Sequence, residues 1–310
     1  MSQLDSLVQT LFEARDVPGR QLGQTSVIEL SSPTPGGGKT HLLYTLIASN
    51  ILPAQLHGRG SCVVVFDLDS TFDVVRLVQQ LRLHLRESAK DTDESPAIET
   101  ALQHIHIFRP QSLASLIATV QNLPAYLLHS SHPSLDRPLG LIALDSASAF
   151  YWQSRAAEED HSFRNTTGSS SPTQAEPEPA SYAQLATALK TAAKVFNAPV
   201  ILTSWSLHAP PAQQHGQGPV RSLRPSLPAP LSALTSTRFI VQRIPVRRFP
   251  AHISVREALR EAGDRQRAVD DGKFECVVNQ WGLDPRTVER VKGAGEGFGL
   301  RITDAGLIVD

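Results

Sequence analysis

The sequence predicts an α/β fold: a mainly parallel, doubly wound sheet with an antiparallel edge added by its last strands. Three observations carry that expectation. First, the apolar run Val27-Ile28-Glu29-Leu30 turns through Ser, Pro and three glycines into Lys39-Thr40, and a helix-like run, Leu42-Leu43-Tyr44 with Leu46-Ile47, follows at once. Second, continuous apolar runs at 62–66 and 139–144 read as buried parallel strands and both end in aspartate; the second delivers a carboxylate to the sheet edge where ligands sit. Third, the chain closes on strand-like segments at 238–243, 273–279, 300–303 and 307–309, with Asp304-Ala305-Gly306 as a hairpin turn between the last two.

Bulk properties narrow the function. The 310 residues, 41% hydrophobic, supply one large α/β domain more readily than two. A formal net charge of −1 excludes a wholesale polyanion-binding surface, so any nucleic-acid contact is a local patch. Cys62 and Cys276 are the only cysteines. Far apart in strand-like surroundings, they read as core thiols in a reducing compartment, with no zinc or disulfide framework. The N-terminus lacks the basic start and apolar run of a secretory signal, and no apolar stretch approaches spanning length. A soluble, intracellular protein with no membrane partner is expected.

In chain order, Leu4, Leu7, Val8, Leu11 and Phe12 recur at helical spacing. Residues 1–22 therefore form an N-terminal helix and linker, and 23–310 the core. The stretch 26–40 is strand, glycine loop, helix, the context in which Gly-Lys-Thr marks a phosphate site. Gly36, Gly37 and Gly38 lack Cβ, so the backbone can take positive φ and aim successive N–H groups at an anion, with the helix dipole added. Lys39 reaches the β/γ-phosphates of ATP and Thr40 offers its hydroxyl to Mg²⁺. The full motif places a glycine six residues before the lysine, and here that position is Pro33, which has no N–H to donate.

After the 62–66 strand, Phe72, Val75, Leu77, Val78 and Leu81 give a helix pattern, and 104–108 a strand followed by a helix at 113–128. His104 and His106 alternate with apolar residues and read as partly buried strand histidines, no third ligand being near in sequence. The 139–146 strand ends at Asp145, which would hold Mg²⁺ through water. Residues 155–180 turn Ser-, Thr-, Pro- and Glu-rich and predict a disordered insertion. Helix and strand resume through Leu185, Leu189, Ala192 and 200–204, and a second low-complexity insertion spans about 206–236, with Arg221 and Arg224 within it.

Asp145-Ser146-Ala147-Ser148-Ala149-Phe150-Tyr151-Trp152, the preceding Ser131-His132-Pro133-Ser134-Leu135, and Phe66-Asp67-Leu68-Asp69 with Phe72-Asp73 and Arg76-Leu77 carry a more specific signal. Together these stretches resemble the RecA-like recombinase paralogues, and among them the X-ray repair cross-complementing group-two family. The resemblance covers roughly residues 4 to 205. It implies a RecA-like P-loop NTPase core in a nuclear protein of homologous recombination. It further implies a subunit that works with other recombinase paralogue subunits and assists the main recombinase on single-stranded or branched DNA. An active DNA-stimulated ATPase of the recombinase type is the alternative.

Against that pattern, Asp69 stands where a glutamate usually polarises the attacking water, and is the weak catalytic candidate. Shorter by a methylene, it would leave the water roughly an ångström out of place, a displacement that can cost about 10²-fold. Trp205 stands where a glutamine usually senses the γ-phosphate, and an indole donates but cannot accept; packing at a sheet edge is its simpler role. The two insertions fall where such a core faces DNA. Arg221, Arg224, Arg238 and Arg243 are therefore the DNA-binding candidates, with Arg247 and Arg248 extending the last. Four neutralised phosphates would give a log–log salt slope of roughly −3 on single strands.

Overall fold

The computed structural model describes residues 26–88, 94–167, 180–206, 219–246, 249 and 252–310. Its strands are β1 (Val27–Ser32), β2 (Cys62–Asp67), β3 (Ile105–Phe108), β4 (Leu139–Asp145), β5 (Val200–Trp205), β6 (Thr237–Arg243), β7 (Lys273–Val278), β8 (Gly297–Thr303) and β9 (Gly306–Val309). Its helices are α1 (Lys39–Ile51), α2 (Val74–Ser88), α3 (Glu94–Leu102), α4 (Leu113–Leu127), α5 (Tyr151–Thr167), α6 (Tyr182–Phe196), α7 (Ala229–Leu234), α8 (Val255–Asp270) and α9 (Pro285–Gly293). The described strands make one sheet in the order β3-β2-β4-β5-β1-β6-β7-β8-β9. The pairings from β3 to β6 are parallel, and those from β6 to β9 antiparallel. The fold is thus α/β with a mostly parallel centre and an antiparallel wing, as expected of a RecA-like core.

Apolar runs without polar alternation make the central strands because both faces are covered. On one face Leu30, Val63, Val65 and Phe239 pack under α1, α2 and α3, with Leu43, Ile47 and Ile51 of α1 fully buried. On the other, Val64, Phe66, Ile142 and Leu202 pack under α4, α6 and α7. Truncating any one of these fully buried leucines or isoleucines to Ala costs about 2–5 kcal/mol. Both thiols are in the core; burial pushes Cys62 up to about 11 and Cys276 higher still. His104 and His106 are buried, and each ring lies within hydrogen-bond distance of Ser134 Oγ, at 2.9 and 3.0 Å.

Two expectations are corrected. Residues 155–167, read as part of a disordered insertion, continue α5, and Arg155–Glu159 forms an i,i+4 pair along it; 168–179 lie outside the described residues. Within the second insertion 207–218 lie outside them too, but 219–236 is folded. Leu223 packs on Ile240 and Val277, and Leu227 and Leu231 join the α6-side core. Asn279 fixes this segment: its Oδ1 accepts from Leu223 N at 3.0 Å and its Nδ2 donates to Leu223 O at 2.7 Å. Three leucines at four-residue spacing outweigh the proline-rich composition. The expected N-terminal helix, 1–22, lies outside the described residues.

The wing is tied back to the core by Gln80 of α2. Its Nε2 donates to Leu307 O at 3.0 Å and its Oε1 accepts from Leu307 N at 2.7 Å, both buried. Gln80→Ala would strand both backbone groups of Leu307, each costing about 1–3 kcal/mol. A lower urea midpoint with an unchanged m-value is the expected outcome; an unaltered midpoint would show the tie to be dispensable.

Candidate nucleotide site

The parallel register builds this site. β2 and β4 run side by side with Asp67 opposite Asp145, so two buried strands end in carboxylates at the same edge. β1 ends at the same edge, and its chain turns through the glycine loop into α1. Gly36 and Gly38 take positive φ, 71° and 94°, as a loop aiming N–H groups inward requires. Gly38 caps α1 with no side-chain hydrogen bond, leaving the first-turn N–H groups to a ligand. A Cβ on Gly37 would collide with Ser32 Oγ and lie 2.7 Å from the backbone oxygen of Val241, so only glycine fits there.

The side chains expected to act together are together. Thr40 Oγ1 donates to Asp145 Oδ2 at 3.0 Å, and Thr203 Oγ1 of β5 donates to Asp145 Oδ1. Burial raises the Asp145 carboxyl, Asp67 adds to the rise, and the two threonine bonds and Lys39 oppose it. The Lys39 ammonium is lowered by burial, against the attraction of Asp145 and Asp69. Asp69 is exposed at the mouth; desolvation there, then repulsion by Asp145 and Asp67, raises its carboxyl, while Lys39 lowers it.

Two contributors, Thr203 and Tyr44, escaped the sequence reading, and Asp67, read there only as a strand-ending aspartate, has a further role. Thr203 was only the penultimate part of a strand end. Asp67 organises the loop that carries Asp69: its Oδ1 accepts from Thr71 N at 3.0 Å and Phe72 N at 3.2 Å, and its Oδ2 accepts from Arg109 Nε at 2.8 Å. Tyr44 of α1 holds the next residue, its hydroxyl accepting from Asp73 N at 2.8 Å. The Asp67-Leu68-Asp69 repeat was the one signal in the sequence for this arrangement.

The donor set fits a magnesium nucleotide. A hydroxyl and a carboxylate 3.0 Å apart are hard oxygen ligands of the kind Mg²⁺ takes. The positive-φ glycines, the uncapped helix start and Lys39 suit the polyphosphate. Among the described residues there is no group of three or more His, Cys, Asp or Glu placed to hold a metal on its own, so a cation here would share its ligands with phosphate and water.

The DNA candidates fare differently. Arg238 is spent inside the protein: its Nε donates to Glu29 Oε2 at 3.0 Å and its Nη2 to Ser232 O and Oγ at 2.6 and 2.9 Å. Arg221 is clamped by Glu275 at 2.7 Å and Glu296 at 3.2 Å. Both carboxylate partners lie far along the sequence, which is why the arginines read as loose. Arg243 is exposed, donates to Val269 O at 2.6 Å and lies 5.8 Å from the Phe274 ring. Arg224 is exposed and has no ion pair among the described residues. Trp205 ends β5 opposite Ser32 with 42% of its surface exposed, so it is not packed away at a sheet edge. Arg247 and Arg248 lie outside the described residues.

No family model matches the chain. The DNA repair protein XRCC2 of Mus musculus is 33% identical to it over 156 residues, 50% of this chain and 50% of the mouse protein. The chain thus resembles a curated DNA repair protein over half its length, and spans about half the length of that relative. No helix among the described residues is long and apolar enough to cross a membrane.

Arg238 supplies a test of its internal role. Glu29 is fully buried, and its carboxyl is raised by burial, with Ser204 and Arg238 opposing the rise. Arg238→Ala leaves a buried carboxylate without its cation, a loss of about 3–5 kcal/mol at neutral pH. A carboxyl raised above its unfolded value stabilises below the ordinary carboxylate range, and that contribution is lost as pH rises through the folded value. Removing Arg238 raises Glu29 further, so the variant's deficit should be largest at pH 7 and shrink towards pH 4.5 in urea titrations. A deficit independent of pH would show that the charge pair is not its source.

Proposed function

We propose that the chain is a nucleotide-binding RecA-like paralogue. It acts in the nucleus as a subunit of a homologous-recombination DNA repair complex, beside other recombinase paralogue subunits, and assists the main recombinase on single-stranded or branched DNA. The observation that carries the reading is the meeting of Lys39, Thr40 and Asp145 at the C-terminal edge of β1 and β4, with Thr40 and Asp145 in direct hydrogen bond. The partial identity with a DNA repair protein supplies the biological setting.

In this reading the glycine loop and the first turn of α1 grip the phosphates of ATP, and Lys39 neutralises their charge. Thr40 and Asp145 hold Mg²⁺, which would draw charge off the phosphate oxygens. Thr203 orients Asp145 by occupying one oxygen and leaving the other toward Thr40. Turnover is the weak step. Asp69 is short for water activation, and a misplacement of the water by roughly an ångström can cost about 10²-fold. Trp205, exposed where the strand leaves the site, cannot accept a hydrogen bond from a water or phosphate-bound proton. Binding without efficient hydrolysis follows.

Equilibrium binding of labelled Mg·ATP, beside turnover with and without single-stranded DNA, tests this. Binding that Lys39→Ala abolishes, with negligible turnover in every condition, is expected. Turnover that DNA stimulates and Lys39→Ala removes would replace the scaffold by a working motor; absence of binding would leave only an interaction platform. Among the four DNA candidates only Arg224 and Arg243 lack carboxylate partners among the described residues, so their share of the log–log salt slope on single strands should not exceed about −1.4 in magnitude. Comparing Arg224→Ala/Arg243→Ala with the unaltered chain measures that share.

A further inference from the structure

The antiparallel wing touches the phosphate loop from outside, a contact that nucleotide chemistry does not require. Ser32, the last residue of β1, donates through Oγ to Val241 O of β6 at 2.6 Å. Beneath Gly38, the position a Cβ would take lies 3.0 Å from Ile302 Cδ1 of β8 and 3.3 Å from Phe274 Cδ1 of β7. Gly37 closes against Val241 O on the same side. At its far edge the wing is fixed to α2 by the paired bonds of Gln80 to Leu307, and α2 follows directly on the loop carrying Asp69. Wing, phosphate loop and Asp69 loop thus form a closed circuit of contacts.

We propose that Ser32, Phe274 and Ile302 are positioning residues that hold the phosphate loop in its binding shape. They replace the rim support lost with Pro33 at the first motif position. The inference rests on the nucleotide reading but concerns how that site is kept in shape. A loop with two prolines and two positive-φ glycines has little hydrogen bonding of its own. Its geometry comes from what it leans on. Gly38, at φ 94°, has no side chain, and Ile302 and Phe274 fill the space that a Cβ would need there. The wing can hold these side chains in place because β6, β7, β8 and β9 are continuous with the central sheet and locked at the outer edge.

The test uses the full chain without nucleotide. Amide hydrogen exchange of residues 36–46, where the Leu42 N–H bonded to Gly38 O at 3.0 Å reports the hold of the loop on α1, is compared in wild type, Ile302→Ala, Ser32→Ala and the conservative Ile302→Val. Leu123→Ala, a core truncation on the opposite face of the sheet, is the stability control. Ile302→Ala and Ser32→Ala should each raise loop exchange on the order of ten-fold and weaken Mg·ATP binding by a similar factor, with Ile302→Val recovering most of both. Leu123→Ala should lower the melting temperature and leave loop exchange and affinity unchanged. Loop exchange at wild-type level in both wing variants, or raised equally by Leu123→Ala, would overturn the proposal. The exchange arm decides it whether or not the wild-type chain binds nucleotide; absent binding in wild type sinks the nucleotide reading alone.

Discussion

The buried carboxylate of Asp145 is the constraint on which the rest of the site depends. It sits at the end of β4 with 4% of its surface exposed, where an ionised oxygen without donors would be costly. Two threonines answer that cost, Thr203 from the neighbouring strand and Thr40 from the first turn of α1. The Thr40 bond fixes the start of α1 relative to β4, and hence the direction in which the glycine loop must run from β1. Lys39, one residue earlier, is then obliged to lie within the field of Asp145 and Asp69. On the proposed reading, a ligand bringing phosphate and a divalent cation would satisfy all of these groups at once.

Beside it, β1 carries a second buried charge, Glu29, on the face opposite α1. Its partners Ser204 and Arg238 come from β5 and β6, the two strands that flank β1. Three adjacent parallel strands are therefore cross-linked by one carboxylate beneath the loop. This network takes Arg238 out of competition for an external polyanion: a cation that satisfies a fully buried carboxylate cannot leave without a penalty several times that of breaking a surface pair. Arg221, shared between Glu275 and Glu296, does the same work on the wing. Of the four candidates, Arg224 and Arg243 stay exposed without a carboxylate partner among the described residues.

How much of this was legible follows from the range of each interaction. The central strands, the loop and α1 announced themselves because their signals are local: unbroken apolar runs, glycines before Lys-Thr, aspartates at strand ends. α8 and α9 were missed although their caps are written in the sequence, Ser254 with Glu257 as a capping box and Asp284 before Pro285 as an N-cap. Their apolar content is too thin for periodicity to find them. The folded part of the second insertion was hidden by its prolines, because its order comes from Asn279, more than fifty residues away. The roles of Arg221 and Arg238 were illegible for the same reason. Pairing across 54 and 209 residues leaves no trace in spacing.

Asp69 shows where local legibility and function part. The resemblance to the RecA-like pattern, which has a glutamate at this place, marks it as a catalytic candidate, yet its setting argues for restraint. The loop that carries it is stiffened from below by Asp67, which accepts two backbone N–H groups and the Arg109 guanidinium, and by Tyr44, which accepts from Asp73. Ser70 adopts φ 56° within it. A loop so held has little freedom to carry a short side chain forward to a water. A glutamate would extend one methylene farther from the same backbone; an aspartate gains reach only if the backbone moves, and the hydrogen bonds oppose the movement. On the proposed reading, rigidity of this kind favours a nucleotide kept as a structural ligand, its binding energy used to fix the sheet edge, over one consumed in a cycle.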